Sequence, residues 1–201
     1  MAVPTSALPP ITTVLLAGGQ GSRMGGDKGL QLLHGKALLA WVLERVRPHS
    51  DEVLLSANDK HEVYGQFGCP LLSDHLPGYA GPLAGLQAAL HRARNDWVLS
   101  VPCDTPWLPA DLLPRLYAAL HASTAEAAVA SAGGRRHPAI ALYRKSVQPQ
   151  LDAYLAGGGR KVNDWLNSLQ LREVEFEDEA AFANINSRED LARANQSKNN
   201  C

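Results

Sequence analysis

Ile11-Thr12-Thr13-Val14-Leu15-Leu16-Ala17, running directly into Gly18-Gly19-Gln20-Gly21-Ser22-Arg23-Met24-Gly25-Gly26-Asp27-Lys28, is the stretch that decides the fold. A β-branched, apolar run cut off by glycine is what a strand covered on both faces of a parallel sheet requires. Outward from it, residues 53–55, 71–72, 97–101, 127–130 and 139–143 are further runs of this kind. Helical spacing fills the gaps. Residues 37–46 place Leu38, Leu39, Trp41, Val42 and Val46 mostly three and four apart, 82–93 put Leu83, Leu86 and Leu90 on one face, and 111–120 repeat the pattern. Strands alternating with helices of this length predict an α/β layered fold built from right-handed crossovers.

Further along, residues 146–155 and 162–169 read as helices separated by Gly157-Gly158-Gly159, and 173–177 alternate charge with apolar residues, as an exposed or edge strand does. Ser187 is placed to cap a final helix. No linker interrupts 11–195, so 201 residues are expected to form one domain there, with loose tails at 1–10 and 196–201.

Composition narrows the function classes. A hydrophobic share of 45% and a charged share of 19% are those of a folded globular chain, and a net charge of −1 disfavours nucleic acid as a partner. Cys69, Cys103 and Cys201 form no C-x-x-C pair, so neither a disulfide framework nor a structural zinc is expected. No apolar stretch reaches the length of a membrane span, and the first ten residues lack the pattern of a secretion signal, so the expected location is the cytoplasm.

Five glycines in the nine positions 18–26 follow the first strand directly. Glycine admits positive φ and lets main-chain N–H groups approach an anion closely, and Arg23 and Lys28 add two cations, so the loop is read as a polyphosphate cradle. It is not a Walker A loop, because Asp27 stands between Gly26 and Lys28. Nor is it a dinucleotide fingerprint, because Met24 occupies the last glycine position. A second acid, Asp104 in Pro102-Cys103-Asp104-Thr105-Pro106, stands just past another buried run. Ligands collect at that end of a parallel strand, where one carboxylate suits Mg²⁺, but a turn-forming aspartate fits the spacing equally.

These two segments resemble the L-A-G-G-x-x-x-R-M-G-x-D-K and P-C-D-T-P motifs of nucleotidyltransferases, and most closely those of the molybdenum cofactor guanylyltransferases (MobA), over about residues 11–195. The resemblance implies a three-layer, Rossmann-like nucleotidyltransferase fold with a mostly parallel central sheet. By the same resemblance Leu16, Ala17, Gly18 and Gly19 lie on the guanine nucleotide, Lys28 and Arg23 neutralise the triphosphate, and Asp104 holds Mg²⁺ and nucleotide. Asp74 is implied as a guanosine contact, and Gly81-Pro82-Leu83-Ala84-Gly85 matches the family's helix opening at the nucleotide, unlike the cytidylyltransferase relative (MocA). Where many relatives carry V-N-A-N this chain has Leu55-Ser56-Ala57-Asn58, which leaves the nucleoside contact open between Ser56 and Asn58.

Arg135-Arg136-His137-Pro138 and Asn184-Ile185-Asn186 also match family patterns. His137, Asn184 and Asn186 are therefore acceptor-side candidates, with a solvated hairpin tip and a pair of turn asparagines as the plain alternatives. Gly157 to Lys161 is read either as a basic loop near the acceptor or as ordinary surface. The implied reaction transfers GMP from GTP to the phosphate of molybdenum-molybdopterin, releases pyrophosphate, and hands the guanine dinucleotide cofactor to molybdoenzymes or their chaperones. A CTP-dependent or sugar-phosphate transferase, or a nucleotide-binding delivery protein without chemistry, are the alternatives.

Overall fold

The computed structural model describes residues 8–17, 27–58, 61–73 and 81–197. Along these the chain forms β1 (Ile11–Leu16), β2 (Leu32–Leu33), β3 (Lys36–Ala37), α1 (Leu38–Val46), β4 (Glu52–Ser56), α2 (His61–Gly65), β5 (Leu71–Leu72), α3 (Pro82–Arg92), β6 (Trp97–Pro102) and α4 (Leu112–His121). It continues through β7 (Ala127–Ala132), β8 (Arg135–Arg144), α5 (Gln148–Ala156), α6 (Val162–Leu166), β9 (Leu171–Phe176) and α7 (Arg188–Gln196). The main sheet has the order β5-β4-β1-β6-β8-β7-β9, and β2 pairs with β3 in a separate hairpin.

β1 lies between β4 and β6 and is parallel to both, so both of its edges are paired. Successive side chains of a strand point to opposite faces, and the burial follows that period. Ile11, Leu15, Leu55 and Leu99 pack with α1 and α4. Val14, Leu54 and Val98 pack with α3, α5 and α6. The result is three layers, helices on sheet on helices, and each large aliphatic side chain removed from water in this way contributes about 1.5–3 kcal/mol. The threonines in β1 are buried but satisfied: Thr12 Oγ1 donates to Glu52 Oε2 at 2.8 Å, and the Thr13 and Ser50 hydroxyls meet at 2.7 Å.

The strand that breaks the parallel pattern is β8, which is antiparallel to both β6 and β7. Gly133 and Gly134, at φ +58° and +71°, form the two-residue turn that reverses the chain there. β8 begins at Arg135 rather than at Ala139 as the apolar run predicted. Pro138 is accommodated because the register between β7 and β8 shifts beside it, where no ladder N–H is needed. Ser100 Oγ donates to the Ala139 carbonyl at 2.9 Å in this irregular stretch.

β9 is an edge strand, as its alternation predicted. Arg136 Nε meets Glu173 Oε1 at 3.1 Å and Arg115 Nη1 meets Glu177 Oε2 at 2.8 Å, so its acids are paired as well as solvated. Leu8, expected in a loose tail, packs against the core, and α7 extends to Gln196. No helix among the described residues is long and apolar enough to cross a membrane.

Candidate active site

The carboxyl ends of β1, β4 and β6 are laced together by backbone. The Ala17 N–H donates to the Ser56 carbonyl at 2.9 Å, and the Cys103 N–H donates to the Leu16 carbonyl at 3.2 Å. Leu16 and Ala17 therefore stand where β1 ends, beside Asp104, which follows β6 by two residues. Helix α3 crosses the same edge closely. A Cβ on Gly85 would come within 2.4 Å of Ser56 Oγ and 3.0 Å of Leu16 Cδ2, so only glycine lets the helix lie there. Gly81, at φ +73°, turns the chain into Pro82, which is exposed at the start of α3 before Leu83 and Ala84 enter the core.

Lys28 opens a short 3-10 turn, and its Nζ bridges two partners. Asp104 Oδ2 lies at 3.3 Å and Asn186 Oδ1 at 2.8 Å. Three residues separated by 76 and 158 positions thus converge on one ammonium group. Asn184 is held one step away, its Oδ1 accepting from the buried Thr105 hydroxyl at 2.9 Å, while the Ile185 N–H donates to the Asp104 carbonyl at 2.9 Å. The segment 184–186 is therefore pinned along the turn that carries Asp104, and the capping box of Ser187 and Asp190 fixes where α7 starts.

Asp104 does not use its side chain to cap a turn. Among the described residues its carboxylate accepts a hydrogen bond only from Lys28, and the buried Oδ1 has no hydrogen-bond partner. A buried orphan acceptor on a carboxylate is costly unless something cationic completes it. A carboxylate oxygen not taken up by Lys28 is a fitting ligand for Mg²⁺, which keeps water and phosphate oxygens in its other positions. No group of three or more His, Cys, Asp or Glu able to hold a metal ion occurs among the described residues.

Beneath the Lys28 turn, Gly29 packs on Cys103 Sγ and the Tyr64 hydroxyl; a Cβ there would stand 3.3 and 3.4 Å from them. Burial, reinforced by the Asp104 charge, pushes the Cys103 thiol up, so it remains protonated and serves as packing rather than as a nucleophile. Burial also raises the Tyr64 phenol.

Of the residues singled out in the sequence, Lys28, Asp104 and Asn186 are brought into direct contact, and Asn184, Leu16 and Ala17 border them. Gly18, Gly19, Arg23 and Asp74 lie outside the described residues. His137 is neither at a solvated tip nor in contact with Lys28. It sits inside β8 with its ring 4.9 Å from that of Phe182, two residues before Asn184. Burial, then the Arg135 charge, lowers its pKa, and Glu175 and Glu179 pull the other way. Arg160 is taken up at the end of α5, where Nη1 donates to the Leu155 carbonyl at 2.9 Å. Thr105, Gly85 and Tyr64 were not anticipated. The first two lie inside quoted motifs, but only packing reveals what they touch.

The family model of the MobA-like NTP transferase domain matches residues 13–174. The chain is similar to the molybdenum cofactor guanylyltransferase of Cupriavidus pinatubonensis, with 45% identity over 187 residues covering 90% of this chain and 94% of that one. It is similar to the same-named protein of Burkholderia lata, with 47% identity over 200 residues covering 94% and 98%. Among solved structures, the molybdopterin-guanine dinucleotide biosynthesis protein A of Archaeoglobus fulgidus superimposes with a TM-score of 0.78 at 26% identity over 92% of this chain and 97% of that one. A CMP:2-keto-3-deoxy-manno-octonic acid synthetase complexed with CTP shares the fold, with a TM-score of 0.76 at 14% identity over 94% and 98%.

Proposed function

The chain belongs to the MobA-like NTP transferase family, and from that premise we propose that it transfers GMP from GTP to the phosphate of molybdenum-molybdopterin. The observation that carries the reading is the convergence of Lys28, Asp104 and Asn186 at the carboxyl edge of β1 and β6. This is the place where a triphosphate spanning the glycine-rich segment 18–26 would end.

In this reaction an oxygen of the molybdopterin phosphate forms a bond to the α-phosphorus of GTP, and the bond from that phosphorus to the β-bridging oxygen breaks, releasing pyrophosphate. The nucleophile is already ionised at neutral pH, so no general base is needed, and the protein's task is alignment and charge compensation. Lys28 offsets phosphate charge, with Arg23 on the same segment assisting. Asn186 accepts from the Lys28 ammonium together with Asp104, which tethers the cation to the site. Asp104 would hold Mg²⁺, which when bound supplies Lewis-acid polarisation of the phosphoryl oxygens. Gly18, Gly19 and Gly81 let backbone approach the nucleotide, and Asp74 contacts guanosine. His137 and Asn184 face the acceptor side along the Phe182–Asn186 segment. The location that goes with this chemistry is the cytoplasm, and the product passes to molybdoenzymes or their chaperones.

The test is pyrophosphate release by the purified protein with molybdenum-molybdopterin and each triphosphate in turn. GTP is expected to support turnover at least tenfold faster than CTP, about 1.4 kcal/mol of discrimination. Equal or faster turnover with CTP, or turnover with a sugar phosphate as acceptor, would replace the reading. Binding of GTP without any release would make the chain a carrier.

A further inference from the structure

Helix α7 lies beyond the stretch that the family model matches, yet it touches both ends of the site. At its start, the Asn186 N–H donates to Asp190 Oδ2 at 3.1 Å, which fixes the residue that receives Lys28. Near its end, Asn195 reaches the β2–β3 hairpin. Its Oδ1 accepts from the His34 N–H at 2.6 Å, and its Nδ2 donates to the Leu32 carbonyl at 3.3 Å and the Leu191 carbonyl at 3.0 Å. We infer that Asn195 is a positioning residue for Lys28, acting through the β2–β3 hairpin, with α7 as a rigid brace between the two contacts. The inference rests on the proposal that Lys28 binds the triphosphate.

The route is short and continuous. The Gln31 N–H donates to the Lys28 carbonyl at 3.1 Å and the Leu38 N–H to the Gln31 carbonyl at 2.9 Å, so the 3-10 turn bearing Lys28 is bonded into the base of the hairpin. The hairpin's own turn is strained. His34 has φ +49°, the one non-glycine residue in the left-handed region among those described, and it precedes Gly35 at +79°. Such a turn keeps its shape only if its surroundings hold it, and Asn195 grips it from the α7 side while Trp41 Nε1 donates to the Leu33 carbonyl at 3.0 Å from the other. Leu33 and Leu38 are buried against Ile185, the residue between the two site asparagines. A helix of nine residues is a stiff spacer about 13 Å long, so the positions of Asn186 and of the hairpin are set together.

A double-mutant cycle read by GTP affinity, in titrations of the full chain, tests this. Asn195→Ala is expected to weaken GTP binding about fivefold in the wild-type background and to change it less than about 1.5-fold when Lys28 is already alanine, because the effect travels through Lys28. Thermal stability should show the opposite behaviour, falling by the same amount in both backgrounds. Equal affinity losses in the two backgrounds, or no loss in the wild type, would overturn the assignment. If Asn195→Ala does not fold, Asn195→Asp carries the same cycle, since it keeps the acceptor for His34 and sets a charged oxygen against the Leu32 carbonyl in place of the donor. Should the wild type bind a different triphosphate, the guanine-specific reading fails, and the cycle run with that triphosphate decides the role of Asn195 on the same criteria.

Discussion

Replacing Asp104 by asparagine separates a residue kept for chemistry from one kept for the turn. The substitution preserves shape in a buried site and removes one negative charge. Among the described residues that charge is answered by a single hydrogen bond from Lys28 at 3.3 Å, and Oδ1 has no partner. The pair is partly screened, with 28% of the Lys28 side chain exposed, so breaking it is expected to cost about 1 kcal/mol or less. Relief of the buried carboxylate's desolvation offsets part of even that. Stability should therefore move by less than about 1 kcal/mol, within about 4 °C in Tm for a chain of this size. Catalysis should respond far more strongly. Removing a preorganised electrostatic group from a phosphoryl-transfer site typically costs about 10²–10³-fold, or ~3–4 kcal/mol of barrier. The assay is pyrophosphate release at saturating GTP, paired with urea denaturation of the same preparations. Turnover within about threefold of wild type would refute the reasoning. So would an activity loss accompanied by a comparable loss of stability, because Asp104 would then be holding the fold.

Two further outcomes follow from packing and protonation. Gly85→Ala gains about 1 kcal/mol of helix preference but must find room for a Cβ 2.4 Å from Ser56 Oγ and 3.0 Å from Leu16 Cδ2. With overpacking costing ~1–3 kcal/mol, the net result should be a lower urea midpoint that Ser56→Gly partly restores, and a midpoint raised by Gly85→Ala alone would contradict the close approach. For His137, the folded protein disfavours the imidazolium through burial first and the Arg135 charge second. Above about pH 6.5 the ring is neutral in both states and contributes nothing; as pH falls below that value the unfolded chain takes the proton first and stability is lost until the folded ring also titrates. His137→Gln should flatten the fall of Tm below about pH 6.5 relative to wild type, and a ring titrating by NMR above about 6.5 would reverse the sign.

Much of the site was legible because its residues sit next to strand ends that read clearly. Leu16 and Ala17 close the run that predicted β1, and Asp104 follows the run that predicted β6. The rule that parallel strands present their carboxyl ends on one edge put Asp104 on the same side as the loop ending at Lys28, and the resemblance of both motifs, rather than spacing, assigned the two to one ligand. The contact between Lys28 and Asn186 was not legible. Nothing in a separation of 158 residues encodes it, and it depends on how the 184–186 segment is seated by Thr105 and by the Asp104 carbonyl. The reading of His137 as part of a hairpin tip failed for a related reason. The apolar run starts at Ala139, so the polar residues before it read as a tip, whereas the chain had already turned at Gly133-Gly134 and the strand had begun.

The amino-acid sequence by itself determined that this is a layered α/β protein and that a glycine-rich, two-cation loop follows its first strand, because periodicity, β-branching and glycine act over a few neighbouring residues. Tertiary structure alone decided that β8 enters the sheet antiparallel between β6 and β7, that Gly85 must be small, and that α7 braces the hairpin next to Lys28. Those outcomes are set by which surfaces meet once the layers close, and contacts between residues far apart in the chain leave no local pattern to read.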